Sequence, residues 1–164
     1  MKKSLRELCT AIAICFCATG NLFATDNQFN TDHTMDKNLN LTKEWDKVFP
    51  QSDKVSHSKV TFRNRYGITL AADMYKPKHA DGKLPAIAIS GPFGAVKEQS
   101  SGLYAQELAE RGFLTIAFDP SYTGESGGEP RYVASPDINT EDFCAAVDFL
   151  STRDDVDAEH IGIL

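Results

Sequence analysis

The strongest constraint on this chain is an alternation: the apolar runs Leu84 to Ile89, Phe113 to Phe118 and Ile161 to Leu164 are separated by two stretches of helical period. Runs that stay apolar on consecutive residues and are bounded by turn residues suit strands covered on both faces. The first intervening helix is expected from about Ser101 to Arg111, with Leu103, Tyr104 and Leu108 on its buried face and Gly112 ending it. The second has the clearest period in the chain: Phe143, Ala146, Val147 and Leu150 recur at i, i+3, i+4 and i+7, and Asn139 is placed to cap them. Strands joined through helices in this way demand a parallel sheet with crossovers on its faces, an α/β class.

Upstream, Val60 and Phe62 alternate, and Ile68, Leu70, Ala72 and Met74 alternate beyond the turn Asn64-Arg65-Tyr66-Gly67. That pattern predicts an antiparallel hairpin at the edge of the sheet. Residues 25–57 are rich in Asn, Asp, Lys and Ser and lack a sustained apolar period, so they are expected to form an N-terminal tail or linker, docked through Trp45, Val48 and Phe49. The folded domain is then expected over residues 58–164.

Residues 1–24 have the features of an export signal, because Lys2, Lys3 and Arg6 precede the uncharged run Cys9 to Cys17. The run is shorter than the roughly 20 apolar residues a bilayer span needs. Cleavage after Ala24 would remove Cys9, Cys15 and Cys17 and leave Cys144, expected as a small, buried or half-buried hydrophobe with no partner for an internal disulfide. A periplasmic or secreted location follows. The net charge of -6, with no Lys/Arg cluster after the first six residues, argues against nucleic acid or an anionic membrane surface as partner.

Four stretches carry a family resemblance when taken in order: Val60 to Pro77 (VTFRNRYGITLAADMYKP), Pro85 to Tyr104 (PAIAISGPFGAVKEQSSGLY), Phe113 to Gly128 (FLTIAFDPSYTGESGG) and Val156 to Leu164 (VDAEHIGIL). They resemble the α/β-hydrolase superfamily, and within it the dienelactone-hydrolase-like group. The resemblance implies an incomplete α/β-hydrolase fold, a truncated N-terminal half, whose full form would act on ester, thioester or peptide-like acyl bonds. It places Phe93 and Gly94 in the loop after the third strand, where such enzymes offer a backbone N–H to the tetrahedral oxyanion. The nucleophile elbow, acid and histidine of the family would lie beyond Leu164, so the chain is expected to be inactive alone. A non-catalytic remnant or binding module, or one half of a split hydrolase, are the alternatives. No cofactor or metal is implied, and the partner is a small acyl substrate once the missing half is supplied.

Several residues mimic catalytic signals. Gly124-Glu125-Ser126-Gly127-Gly128 fits Gly-x-Ser-x-Gly, but Ser126 stands several residues past the strand end at Asp119 and precedes Gly127, Gly128 and Pro130, which do not open a helix cleanly. His33, His57 and His79 fall in polar linker or turn sequence, and His160 precedes a strand at the end remote from ligand binding. Asp119, at the ligand-side end of its strand, is expected to fix the following loop by hydrogen bonds. Gly91 to Lys97 lacks the Gly-Lys-Ser/Thr ending of a phosphate-binding loop.

Overall fold

The structure, a computed structural model, describes residues 39–164. The proposed signal sequence, His33 and residues 25–38 of the expected tail lie outside the described residues. Five strands form one sheet in the order β1-β2-β4-β3-β5, where β1 is Val55–Arg63, β2 Thr69–Pro77, β3 Leu84–Ser90, β4 Leu114–Phe118 and β5 Val156–Ile163. The hairpin β1-β2 is antiparallel and joins β4 antiparallel, whereas β3 runs parallel to both β4 and β5. This is a partial α/β-hydrolase fold, as expected.

Helix α1, Ser100–Ala109, connects β3 to β4, and helix α2, Pro136–Ser151, connects β4 to β5. The alternation along β4 shows how both faces are covered. Leu114, Ile116 and Phe118 join Ala145, Ala146 and Leu150 of α2 in one core, while Ala117 joins Ala105 and Ala109 of α1 in the other. Every residue of β4 is buried, which explains why its sequence is apolar without polar interruption except Thr115. The Thr115 hydroxyl satisfies itself by donating to the Ala105 carbonyl at 2.8 Å. Aromatic packing closes the α2 side, with Phe118 against Phe143 and Phe62 stacked on Phe149.

The structure corrects the sequence reading at five places. In α1, Leu103 and Tyr104 are exposed and the buried face is Ser101, Gly102, Ala105, Gln106 and Ala109. Small side chains let the helix approach closely: a Cβ on Gly102 would meet the Lys97 carbonyl at 2.3 Å and the Phe49 ring at 3.1 Å. Helix α2 begins at Pro136 with Ser135 at the cap position, and the Asn139 amide already donates to the Ser135 carbonyl. Proline at the first helical position needs no N–H partner, so the helix starts a turn earlier than Asn139 suggested. Cys144 lies on the outer face of α2 and is exposed. Strand β5 starts at Val156, earlier than the apolar run, and forms the sheet edge among the described residues, leaving Ile163 and Leu164 exposed rather than buried. Strand β1 likewise starts at Val55, so His57 belongs to a strand rather than a linker.

The segment before β1 packs onto this frame. Phe49 is buried and accepts, through its carbonyl, a hydrogen bond from the Trp45 indole at 2.8 Å, while Val48 stays 76% exposed. Docking therefore uses Trp45 and Phe49 but not the Val48 side chain.

Candidate active-site cleft

Strand β3 ends at Ser90, and the chain turns sharply before α1. The Ala95 amide donates to the Pro92 carbonyl at 2.9 Å, closing a turn around Phe93 and Gly94. Gly94 has φ of 83°, in the left-handed region, and a Cβ there would meet nothing within 4 Å. The demand for glycine is thus conformational rather than spatial. Among the described residues, neither the Phe93 nor the Gly94 amide donates to a protein acceptor. The Phe93 side chain is 82% exposed.

This turn forms one wall of a small cleft of about 60 Å³ lined by Gly91 to Ala95, by Pro120, Thr123, Val133 and Ala134 of the β4-α2 loop, and by Asn139 of α2. None of these side chains is ionisable. The cleft lies beyond the carboxyl ends of β3 and β4, where ligands bind in parallel α/β sheets.

Behind the turn sits a buried charge cluster centred on Asp119, which directly follows β4. Its Oδ1 accepts the Lys97 backbone amide at 2.8 Å, and its Oδ2 accepts both the Lys97 ammonium at 2.7 Å and the Glu125 amide at 2.9 Å. One carboxylate thereby ties the β3-α1 loop to the β4-α2 loop. Gly124 rests directly on it, since a Cβ would come within 2.2 Å of Asp119 Oδ2. Asp119 has the loop-fixing geometry expected of it.

The ammonium of Lys97 also reaches Glu125 at 2.8 Å and Glu98. Burial opposes its charge, yet Asp119, Glu125 and Glu98 outweigh that cost and hold its pKa above the ordinary lysine value. Glu125 is likewise penalised by burial, but Lys59, Lys97 and the Thr42 amide bring its pKa down to about 2. The oxygens of Asp46, Glu98 and Glu125 converge within 4.8 Å, a spacing a cation could use. Lys59 and Lys97 already occupy that space, with Lys59 bound to Asp46 at 3.2 Å and to Glu125 at 2.5 Å, so the cluster is neutralised from within.

Ser126 is 2% exposed, and its hydroxyl is fully engaged: it donates to the Asp119 carbonyl at 2.7 Å and accepts the Ala71 amide at 2.9 Å. A hydroxyl locked between β2 and the residue that follows β4 is a structural clamp, in keeping with its exclusion as a nucleophile. The described histidines do not line the cleft: His57 pairs with buried Asp73 at 2.7 Å, His79 is exposed in a turn, and His160 pairs with Asp157 at 2.8 Å on β5. What sequence reasoning missed is Lys97, because a lysine in a loop ordinarily signals a solvated position.

The family of X-Pro dipeptidyl-peptidases (S15) matches residues 66–164 of the chain. The chain belongs to this family. An uncharacterized protein of Pseudomonas aeruginosa, PA2218, is 65% identical over 154 residues, covering 93% of this chain and 41% of that protein. Its crystal structure superposes with a TM-score of 0.75 over 77% of this chain and 40% of that one. The thiohydrolase aneE of Aspergillus aculeatus is 33% identical over 112 residues, covering 68% of this chain and 34% of its own. The α/β hydrolase GrgF from Penicillium sp. sh18 superposes with a TM-score of 0.61 at 26% identity, over 66% of this chain and 36% of that one. The S15 chain described here thus spans about two fifths of the Pseudomonas relative's length.

Proposed function

We propose that this S15-family chain contributes the oxyanion-binding half of an exported hydrolase of ester or thioester acyl bonds. The observation that carries the reading is the pair of unpartnered amides at Phe93 and Gly94, set in a turn beside a cleft without charged walls. When a nucleophile adds to an acyl carbonyl, negative charge develops on its oxygen, and amides already turned out of internal hydrogen bonding stabilise it without reorganisation. The uncharged lining favours neutral acyl groups over charged peptide termini. A thiohydrolase and an α/β hydrolase among the similar proteins support the same chemistry. The finer placement in a dienelactone-hydrolase-like group rests on the order of sequence motifs. Export rests on Lys2, Lys3 and Arg6 ahead of the apolar run Cys9 to Cys17.

The one hydroxyl among the residues lining the cleft, that of Thr123, has no ionisable side chain in that lining to act as its base, so the chain alone is expected not to turn over acyl esters. The test joins residues 1–164 to the part of PA2218 that the chain does not match and measures hydrolysis of p-nitrophenyl butyrate and a butyryl thioester. Phe93→Pro removes one amide donor and is expected to lower kcat about 100-fold to 1000-fold, while Phe93→Ala keeps the N–H and most of the rate. Equal rates for the two variants would sink the oxyanion role. Turnover by the unfused chain that disappears in Ser126→Ala would overturn the structural assignment of that serine.

A further inference from the structure

Lys97 lies two residues beyond the turn that holds Phe93 to Ala95, and its side chain is 0% exposed. Lysine is almost never fully buried unless it is paired, and a buried ion pair adds little net stability compared with well-packed apolar residues. Stability alone therefore gives poor grounds for burying this one. Its attachments give a better one. The same residue is bound to Asp119 twice, through its backbone amide to Oδ1 at 2.8 Å and through its ammonium to Oδ2 at 2.7 Å. Two bonds to one rigid carboxylate fix the position and the orientation of the peptide, where a single bond would leave it free to rotate.

The far side of the tie is equally defined. Asp119 Oδ2 also accepts the Glu125 amide, and the Glu125 carboxylate returns to the Lys97 ammonium at 2.8 Å, so the two walls of the cleft are cross-linked through one buried cation. From behind, Glu98 accepts the Val48 amide through its carbonyl at 3.1 Å, which clips the segment before β1 onto the same loop. Among the described residues, Phe93 and Gly94, by contrast, have only the internal Pro92-Ala95 bond to hold their turn.

We propose that Lys97 is a positioning residue that, through Asp119, sets the separation of the β3-α1 and β4-α2 loops and thereby holds the Phe93 and Gly94 amides in place for an oxyanion. The proposal rests on the acyl-hydrolase reading above, and its test separates the two. In the full 164-residue chain labelled with ¹⁵N, Lys97→Met is expected to move the amide resonances of Phe93, Gly94 and Ala95 while those of Leu114 to Ala117 in β4 stay in place. In the fusion to PA2218, the same substitution is expected to lower kcat about 100-fold, the cost of a misplacement near 1 Å, with KM little changed. Should Lys97→Met fail to fold, Glu125→Gln removes one partner while Asp119 and Glu98 still balance the ammonium, and the same three amides are expected to move by a smaller amount. Loop amides that do not move in a folded variant overturn the proposal, as does an unchanged kcat in an active fusion. An unsubstituted fusion that is folded but inactive, with loop amides that still respond to Lys97→Met, sinks the hydrolase reading and sustains the lysine's hold on the loop.

Discussion

Two buried carboxylates grip the β4-α2 loop, and they do it in opposite ways. Asp119, at the start of the loop, takes an ammonium and two backbone amides. Asp142, reaching the loop from α2, takes only neutral donors: Oδ2 accepts the Ser121 amide, and Oδ1 accepts the Ser121 hydroxyl and the Asn64 side-chain amide, each at 2.8 Å. Burial pushes the Asp142 pKa up, and its donors from Ser121 and Asn64 offset this only in part. The first carboxylate joins two loops across the cleft through charge. The second knits the β1-β2 turn, the loop and α2 by neutral hydrogen bonds on the other side. One residue type thus does two jobs, decided by whether a cation was buried with it.

The largest expected effect comes from removing the charged tie. Asp119→Ala strips Lys97 of its fully buried carboxylate partner and leaves the Lys97 and Glu125 amides unpaired, so the loss in urea unfolding is expected to be about 3–5 kcal/mol. Asp142→Asn keeps the shape and exchanges one acceptor for a donor, so about 1–3 kcal/mol is expected, the cost of a buried donor left without an acceptor. Equal losses at the two sites would erase the distinction between them. Gly94→Ala is expected to cost about 1–2 kcal/mol through the left-handed backbone alone, because no neighbour obstructs the added methyl.

How far the sequence disclosed this arrangement depends on the kind of interaction. The apolar runs of β3 and β4 were legible because both faces are covered, so every position carries the same signal. The α2 face was legible because large side chains mark it. The α1 face was not, since Gly102, Ala105 and Ala109 pack by being small, and Leu103 and Tyr104 drew attention to the solvent side. The starts of β1 and β5 were hidden by polar residues that edge strands tolerate. At the cleft, glycine and proline spacing pointed to the turn at Phe93 and Gly94. The tie behind it joins Lys97 to Asp119 and Glu125, which lie far along the chain, and pairing at such separations leaves no local period.

The smallest effect sharpens the comparison through pH. Glu125, a half-buried partner of Lys97, is held to about 2 against an ordinary 4.5, so between those values the unfolded chain binds more protons than the folded one. Its contribution is complete above pH 4.5 and is lost as the pH falls toward 2. For Asp142 the sign reverses: its folded pKa lies above the ordinary 3.8, the folded chain binds more protons, and its contribution is complete below 3.8 and lost as pH rises through the raised value. The charged and neutral clamps therefore pull the acid limb of the stability curve in opposite directions. Thermal unfolding followed by circular dichroism on acidification is expected to show a flatter decline for Glu125→Gln and a steeper one for Asp142→Asn than for the unsubstituted chain. Two variants whose curves run parallel would mean that protonation does not distinguish the clamps, and that only the geometry of their donors does.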